Sequence, residues 1–354
     1  MGLVIFDPVA PHPYSLETLR HAPLGGTEAT VIRVAEALDA TVWQHNRTAN
    51  EGRYRIGPAE PAPTVLVVLR DPEAALEMAG RYPRARALLW MHDLAGPNNY
   101  CGRILLEHAA PLAAARITLV CVSDFHAREV HANLAAVPAN QRPDVVRIYN
   151  PVDVSSAAGD APGIDPDKLV FFSSPHKGLD HTLTAFASLR RALPSLRLYL
   201  ANPGYYPGLD HAPPGVVNLG AVPHHVILQH VKTALCTFYP NFVFPETFGL
   251  VLGESNALGT PVLTHGIGAT PEVLRGEGQI VRVPRGMDTA DRVLRKWPAL
   301  RPLGRVPFAM MGWARLYGSR LRSWREGKRP AVQGRAEFAI ERVAAQWRQL
   351  IETG

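Results

Sequence analysis

A chain of 354 residues, 47% of them hydrophobic, is too long for one ordinary core and carries enough apolar material for two domains. Its net charge of +6 comes mainly from arginine, the only lysines being Lys168, Lys177, Lys232, Lys296 and Lys328; arginine, alanine and proline richness of this kind often reflects genome composition, as in GC-rich bacteria, and is no binding signal by itself, since the distribution of charge matters more than its sum. No apolar run approaches the roughly 18 residues of a membrane span, MGLVIFDPVAPHP lacks the layout of a signal peptide, and Cys101, Cys121 and Cys236 are spaced as reduced buried thiols rather than as disulfides or a zinc site, so a cytoplasmic globular protein is expected.

LVIFDPVAP opens as a short buried strand, and GGTEATVIRVAEALDA follows as a helix with Val31, Val34 and Leu38 at helical spacing. TVLVVLR, ALLWMHD and ITLVCVSD are short apolar runs with polar ends, separated by helical segments such as DPEAALEMAGRYP. Strands alternating with helices predict a parallel, doubly wound α/β sheet, whose ligands gather at the carboxyl ends of the strands. His92, Asp93, Ser123 and Asp124 occupy such ends. VVRIYNPVDV closes this unit, and SSAAGDAPGIDPDK has the composition of an interdomain linker.

These signals predict an amino-terminal domain over 1–155, completed by a carboxy-terminal helix over 336–354, and a second domain over 156–335. The second series runs through KLVFFSS, the helix DHTLTAFASLRRAL, LRLYLANP, a helix near VILQHVKTAL, CTFYP, and TPVLTH. Two Rossmann-like halves are expected, alike in architecture and without an internal sequence repeat. The last helix, RAEFAIERVAAQWRQLI, places Phe338, Val343, Trp347, Leu350 and Ile351 on one side, as a helix docked on a core does.

The stretch ETFGLVLGESNALGTPVL, residues 246–263, carries the chemistry. Residues 250–258 read as a helix ended by Gly259. The free N–H groups of its first turn, made approachable by Gly249, favour an anion such as a phosphate. Glu254 lies more than a turn further in, where a carboxylate can accept from a vicinal diol such as a ribose, and Glu246 precedes the helix on a loop. The alternative is a packed helix with a solvated Glu254 and a loop Glu246.

In context the pattern resembles the signature of retaining GT-B glycosyltransferases of glycosyltransferase family 4, the glycosyl transferases group 1. It shares two Glu separated by seven residues, with Phe-Gly-Leu after the first and a Gly-Thr-Pro-Val exit. The resemblance implies a GT-B fold of two Rossmann-like domains facing a cleft, and a nucleoside diphosphate sugar as co-substrate. It gives Glu246 to the donor sugar, Glu254 to the ribose, and the backbone of Phe248, Gly249 and Leu250 to the diphosphate. LGGTEATVIRVAEAL resembles the family's glycine loop, with Gly25 and Gly26 near donor phosphates or acceptor. MHD at 91–93 resembles the segment that turns His92 to the sugar; Asp93 and Ser123 are the matching acceptor-side candidates. VSDFHAREV and IYNPVDV resemble the segments that close the first domain, with Asn150-Pro151-Val152-Asp153 where the family has Asn-Gly-Val-Asp.

FFSSPHKGLDH keeps the family's Lys-Gly pair as Lys177 and Gly178, with Ser173 nearby, but Phe172 stands where the family places an Arg. Losing that cation removes charge stabilisation from the leaving diphosphate. The resemblance implies no metal and no further cofactor, with helix amides and Lys177 holding the diphosphate, and a glycan, lipid-linked or small-molecule acceptor. His211, His224, His225 and His230 read as surface or loop histidines, since zinc-ligand spacing is missing. His176 and His181 flank Lys177.

The basic segment over 301–335 reads first as a solvated face, then as a contact with anionic membrane, and last as a nucleic-acid surface, for which no module is visible. A nucleotide-sugar-binding scaffold without turnover is the rival reading. A nicotinamide-dependent oxidoreductase fares badly, because no G-x-G-x-x-G follows a strand.

Overall fold

Runs of buried aliphatic residues build two all-parallel sheets. The computed structural model describes residues 2–159, 163–202, 211–242, 244–282 and 308–353. It divides into a unit of Met1–Asp153, Glu246–Leu250 and Ala336–Gly354 and a unit of Val154–Pro245 and Val251–Arg335. No described helix is long and apolar enough to cross a membrane.

The first unit holds strands β1 (Leu3–Asp7), β2 (Thr41–Gln44), β3 (Tyr54–Ile56), β4 (Val65–Leu69), β5 (Arg86–Trp90), β6 (Thr118–Cys121) and β7 (Val145–Arg147). Their order is β3-β2-β1-β4-β5-β6-β7. Every residue of β1 and β4 is buried, as a parallel sheet covered on both faces requires, and their register pairs Leu3 with Val65 and Phe6 with Val68. The strand order reverses between β1 and β4, which opens a crevice at their carboxyl ends.

Helices α1 (Leu16–His21), α2 (Gly26–Leu38), α3 (Pro72–Arg81), α4 (Tyr100–Ala114) and α5 (Asp124–Leu134) connect these strands. The Asp71 side chain accepts from the N–H groups of Glu73 and Ala74 at the start of α3, with Pro72 in its first turn, an arrangement that satisfies otherwise unpaired donors.

The second unit contains β8 (Asp165–Phe171), α6 (Leu179–Ala192), β9 (Arg197–Asn202), β10 (Val216–Ala221), α7 (His224–Lys232), β11 (Ala234–Tyr239), α8 (Leu250–Ala257), β12 (Val262–Thr264), α9 (Thr270–Val273) and α10 (Phe308–Ser323). Its order is β10-β9-β8-β11-β12, so the reversal and its crevice fall between β8 and β11. β10 lies at the sheet edge with one buried residue, Val216, which is why its hydrophobic pattern is faint. β2 and β3 are short and partly polar, and the sequence does not announce them either.

The last helix, α11 (Ile340–Glu352), packs in the first unit with Val343, Ala344, Trp347 and Ile351 buried. Trp347 meets Trp90 of β5 edge-on at 4.8 Å between ring centroids. The Arg86 guanidinium donates to the carbonyls of Leu350 and Ile351, which places a cation at the negative end of the helix dipole. The sequence assigns the whole stretch 246–263 to the second domain; in the structure residues 246–250 pack with the first unit and the rest with the second.

Candidate functional site

At the end of β1 the buried Asp7 accepts from the N–H groups of Val9 and Ala10 at 3.1 and 3.0 Å and from the Tyr14 hydroxyl at 2.8 Å. Burial, and then Asp7, hold the Tyr14 phenol well above its ordinary pKa. Beside it α2 begins at Gly26, with Gly25 as its N-cap and Glu28 buried in its first turn. A Cβ on Gly26 would lie 3.0 Å from Leu250 Cδ1. A side chain there would have to displace the tip of Leu250, so Gly26 lies against residues 246–250.

β4 exits through Arg70, whose φ of 67° is left-handed, a conformation costing a non-glycine residue about 1 kcal/mol or more. Its guanidinium grips Asp93 in a bidentate pair, Nε to Oδ2 at 2.6 Å and Nη2 to Oδ1 at 3.0 Å. The polar strand-end rule that singled out His92 also points to Arg70, which the sequence reading passed over. His92 is buried, its ring 4.8 Å from that of Trp90. Burial, the Arg70 charge and His126 push its pKa well below the ordinary value, so the imidazole is neutral. Its Nε2 has no hydrogen-bond partner among the described residues.

Ser123 is fully buried and caps α5 by accepting from the N–H of His126 at 3.0 Å. Its hydroxyl also donates to the Thr247 carbonyl, and the Thr247 hydroxyl donates to the His92 carbonyl at 2.8 Å. Residues 246–250 are thereby stapled across the ends of β5 and β6. Phe248, 1% exposed, completes the anchor against Phe338 and Tyr149 at 5.0 and 6.1 Å between centroids. Glu246 is 3% exposed on this fixed segment. Ser123 and Asp93 thus both have protein partners. Asp124 pairs with Arg147 at 3.0 Å and accepts from the Tyr149 hydroxyl.

In the second unit the exit of β8 carries Phe172, packed against an apolar cluster that includes Val170 and Ala201, and then the buried Ser173. A 3-10 turn over Pro175–Lys177 follows, and Gly178, at φ 102°, begins α6. The Lys177 ammonium lies 5.5 Å from the centroid of the Phe244 ring. The turn after β11 is closed by Asn241, which donates to the Phe244 carbonyl at 2.6 Å and accepts from its N–H at 3.0 Å. A Cβ on Gly178 would stand 3.6 Å from Asn241 Oδ1, so the exits of β8 and β11 adjoin.

Gly249, at φ 87°, precedes α8. Glu254 is 2% exposed, which rules out the solvated alternative. A carboxylate this deep requires donors, and His224 Nε2 lies 3.1 Å from its Oε1. His224 is therefore no surface histidine: it opens α7 half-buried against Glu254, whereas His225 beside it is exposed. Ser255 meets Thr237 at 2.7 Å, and Asn256 donates to Gln279 at 2.8 Å. At the end of β12, the His265 Nδ1–H donates to the Val281 carbonyl at 2.6 Å, which leaves Nε2 to accept from the Tyr317 hydroxyl at 2.6 Å.

Part of the basic segment is committed internally. Arg325 pairs with Asp167 at 2.7 Å, Arg329 donates to the carbonyls of Leu235 and Ala234, and Arg335 to that of Glu272. Arg315, Arg322 and Lys328 are exposed; Arg301 and Arg305 lie outside the described residues. The three cysteines are free, with Cys121 and Cys236 buried. Among the described residues no group of three or more His, Cys, Asp or Glu side chains is placed to hold a metal ion.

Two all-parallel α/β units, each with its crevice where the strand order reverses, make this a protein of GT-B fold. Residues 166–325, most of the second unit, match the family model of the glycosyl transferases group 1. No curated protein sequence matches the chain. Among solved structures it is similar to HepE of Anabaena in complex with UDP and glucose, with a TM-score of 0.61, 15% identity and 100% of both chains covered. It is also similar to sucrose-phosphate synthase from Thermosynechococcus elongatus, with a TM-score of 0.59, 15% identity and coverage of 100% of this chain and 99% of that one. AviGT4, a glycosyltransferase involved in avilamycin A biosynthesis, gives 0.56 at 16% identity, with 100% and 99% covered.

Proposed function

We propose that this protein is a retaining, metal-independent glycosyltransferase that uses a nucleoside diphosphate sugar as donor. The observation that carries the reading is the pair of buried carboxylates, Glu246 and Glu254, flanking the left-handed Gly249 at the head of α8. The group 1 match over 166–325 supports it. So does the structural neighbour HepE, which was solved with UDP-glucose.

Glu254 accepts from the ribose diol. The backbone of Phe248, Gly249 and Leu250 faces the diphosphate at the start of α8, and Lys177, beside Ser173, supplies the cation. Glu246 orients the sugar hydroxyls, and the neutral His92 contacts the sugar. Gly25 and Gly26 let backbone approach donor phosphates or acceptor; Asp93 and Ser123 shape the acceptor side. In the same-face reaction the bond from the anomeric carbon to the diphosphate breaks as the bond to the acceptor oxygen forms. The acceptor proton passes to a phosphate oxygen of the leaving group. The acceptor is a glycan, a lipid-linked carrier or a small molecule. Contact with an anionic membrane through 301–335 would rest, among the described residues, on Arg315, Arg322 and Lys328.

A second reading, a nucleotide-sugar-binding scaffold, is favoured by Phe172, which is built into the apolar cluster where the family carries an Arg. Release of nucleoside diphosphate from a nucleotide sugar, followed in wild type and variants, separates the two. Glu246→Ala is expected to lower kcat about 100-fold, the scale of a lost transition-state contact, with donor Kd changed less than about threefold. Equal loss in both would remove the assigned role. Donor binding with no turnover on any saccharide acceptor would favour the scaffold.

A further inference from the structure

His224 stands outside every motif that pointed to the donor site, yet its Nε2 is 3.1 Å from Glu254 Oε1, with the carboxylate 3% and the imidazole 21% exposed. It is the first residue of α7, reached directly from the edge strand β10 through Val222 and Pro223. A nine-residue helix therefore fixes where the imidazole starts, and α8 fixes where the carboxylate starts. The contact is a side-chain pair between two rigid elements. Since a carboxylate only accepts, the imidazole Nε2–H is the donor.

We propose that His224 is a positioning residue of the nucleotide site: it fixes the carboxylate of Glu254 so that the site selects ribonucleotides over 2′-deoxyribonucleotides. The inference rests on the reading of Glu254 as the ribose ligand. Recognition of a vicinal diol needs two hydroxyl donors to meet carboxylate lone pairs at the same time, within the narrow angles of a good hydrogen bond. A carboxylate free to change rotamer must be ordered on binding, and that loss weighs against the two-hydroxyl contact. A carboxylate already held by an N–H is ordered beforehand. The 2′-hydroxyl is the group whose contribution depends most on this order, because a single remaining hydroxyl can be met from several orientations.

The test is calorimetric titration of the full chain with UDP, GDP and ADP, and then with the 2′-deoxy counterpart of the tightest. Wild type is expected to prefer the ribonucleotide about tenfold, the scale of one hydrogen bond to a charged group. In His224→Ala the ribonucleotide should bind about tenfold more weakly and the deoxynucleotide nearly as before, so that the preference collapses. His224→Gln, whose amide nitrogen reaches the place of Nε2, should return the preference to within about threefold of wild type. If His224→Ala keeps the preference, or weakens both nucleotides equally while lowering the melting temperature, the histidine is a packing residue and the inference fails. If Glu254→Gln abolishes the preference and His224→Ala does not, the inference fails and the proposed function stands. If wild type binds no nucleoside diphosphate, both fall.

Discussion

His126 and His265 are buried, and burial holds the pKa of each down at about 4. An unfolded histidine titrates near 6.5, so between pH 6.5 and about 4 the unfolded chain binds more protons than the folded one. Stability from these neutral imidazoles is therefore complete above pH 6.5 and is lost as pH falls toward 4, by up to about 3 kcal/mol for each. Thermal unfolding should show a midpoint that declines from pH 7 to pH 4.5, and His265→Asn should flatten that slope. A midpoint that rises on acidification would contradict the assignment. At this scale the sequence was legible where motif and burial agree, as at Glu246 and Glu254. It was silent about His224, because neighbouring histidines of opposite exposure leave no pattern from which to choose between them. Arg70 could have been found, since it ends a strand as His92 does, but its pairing with Asp93 depends on strand order, which no local window contains.

The element that decides the site is the segment 246–250 with α8. Its placement depends on Thr247, which bonds the ends of two strands, on the left-handed Gly249 and on the buried ring of Phe248. Gly249→Ala should cost about 1–2 kcal/mol by placing a Cβ in the left-handed region. Thr247→Val, which removes one hydrogen bond while keeping volume, should cost about 1 kcal/mol. Both are read from denaturant unfolding, and an unchanged midpoint would contradict the structural role. Trp347→Ala on α11 should cost about 3–5 kcal/mol by emptying the space against Trp90. Most strands are readable in the sequence as apolar runs, and plainest are those buried along most of their length, such as β1, β4, β5 and β11. β2, β3 and β10 were not readable, because they are short or lie at an edge where one face needs no apolar side chain.

The whole molecule repeats one architectural device, a parallel sheet whose strand order reverses once. Alternating strands and helices revealed that device in the sequence, but the return of residues 246–250 to the first unit depends on contacts far apart in the chain. The basic segment shows the same limit. Counted along the sequence it is a run of charge, yet in the structure Arg325, Arg329 and Arg335 face carbonyls and Asp167.

We propose that the protein holds a nucleoside diphosphate without metal. The most direct measurement is the melting temperature of purified protein with UDP, GDP, ADP and TDP, each with and without magnesium. One diphosphate at about 100 times its Kd is expected to add about 2.7 kcal/mol, a rise of about 3–4 °C for a chain of this length, equally in chelator and in magnesium. A rise that appears only with magnesium, or no rise with any diphosphate, would contradict it.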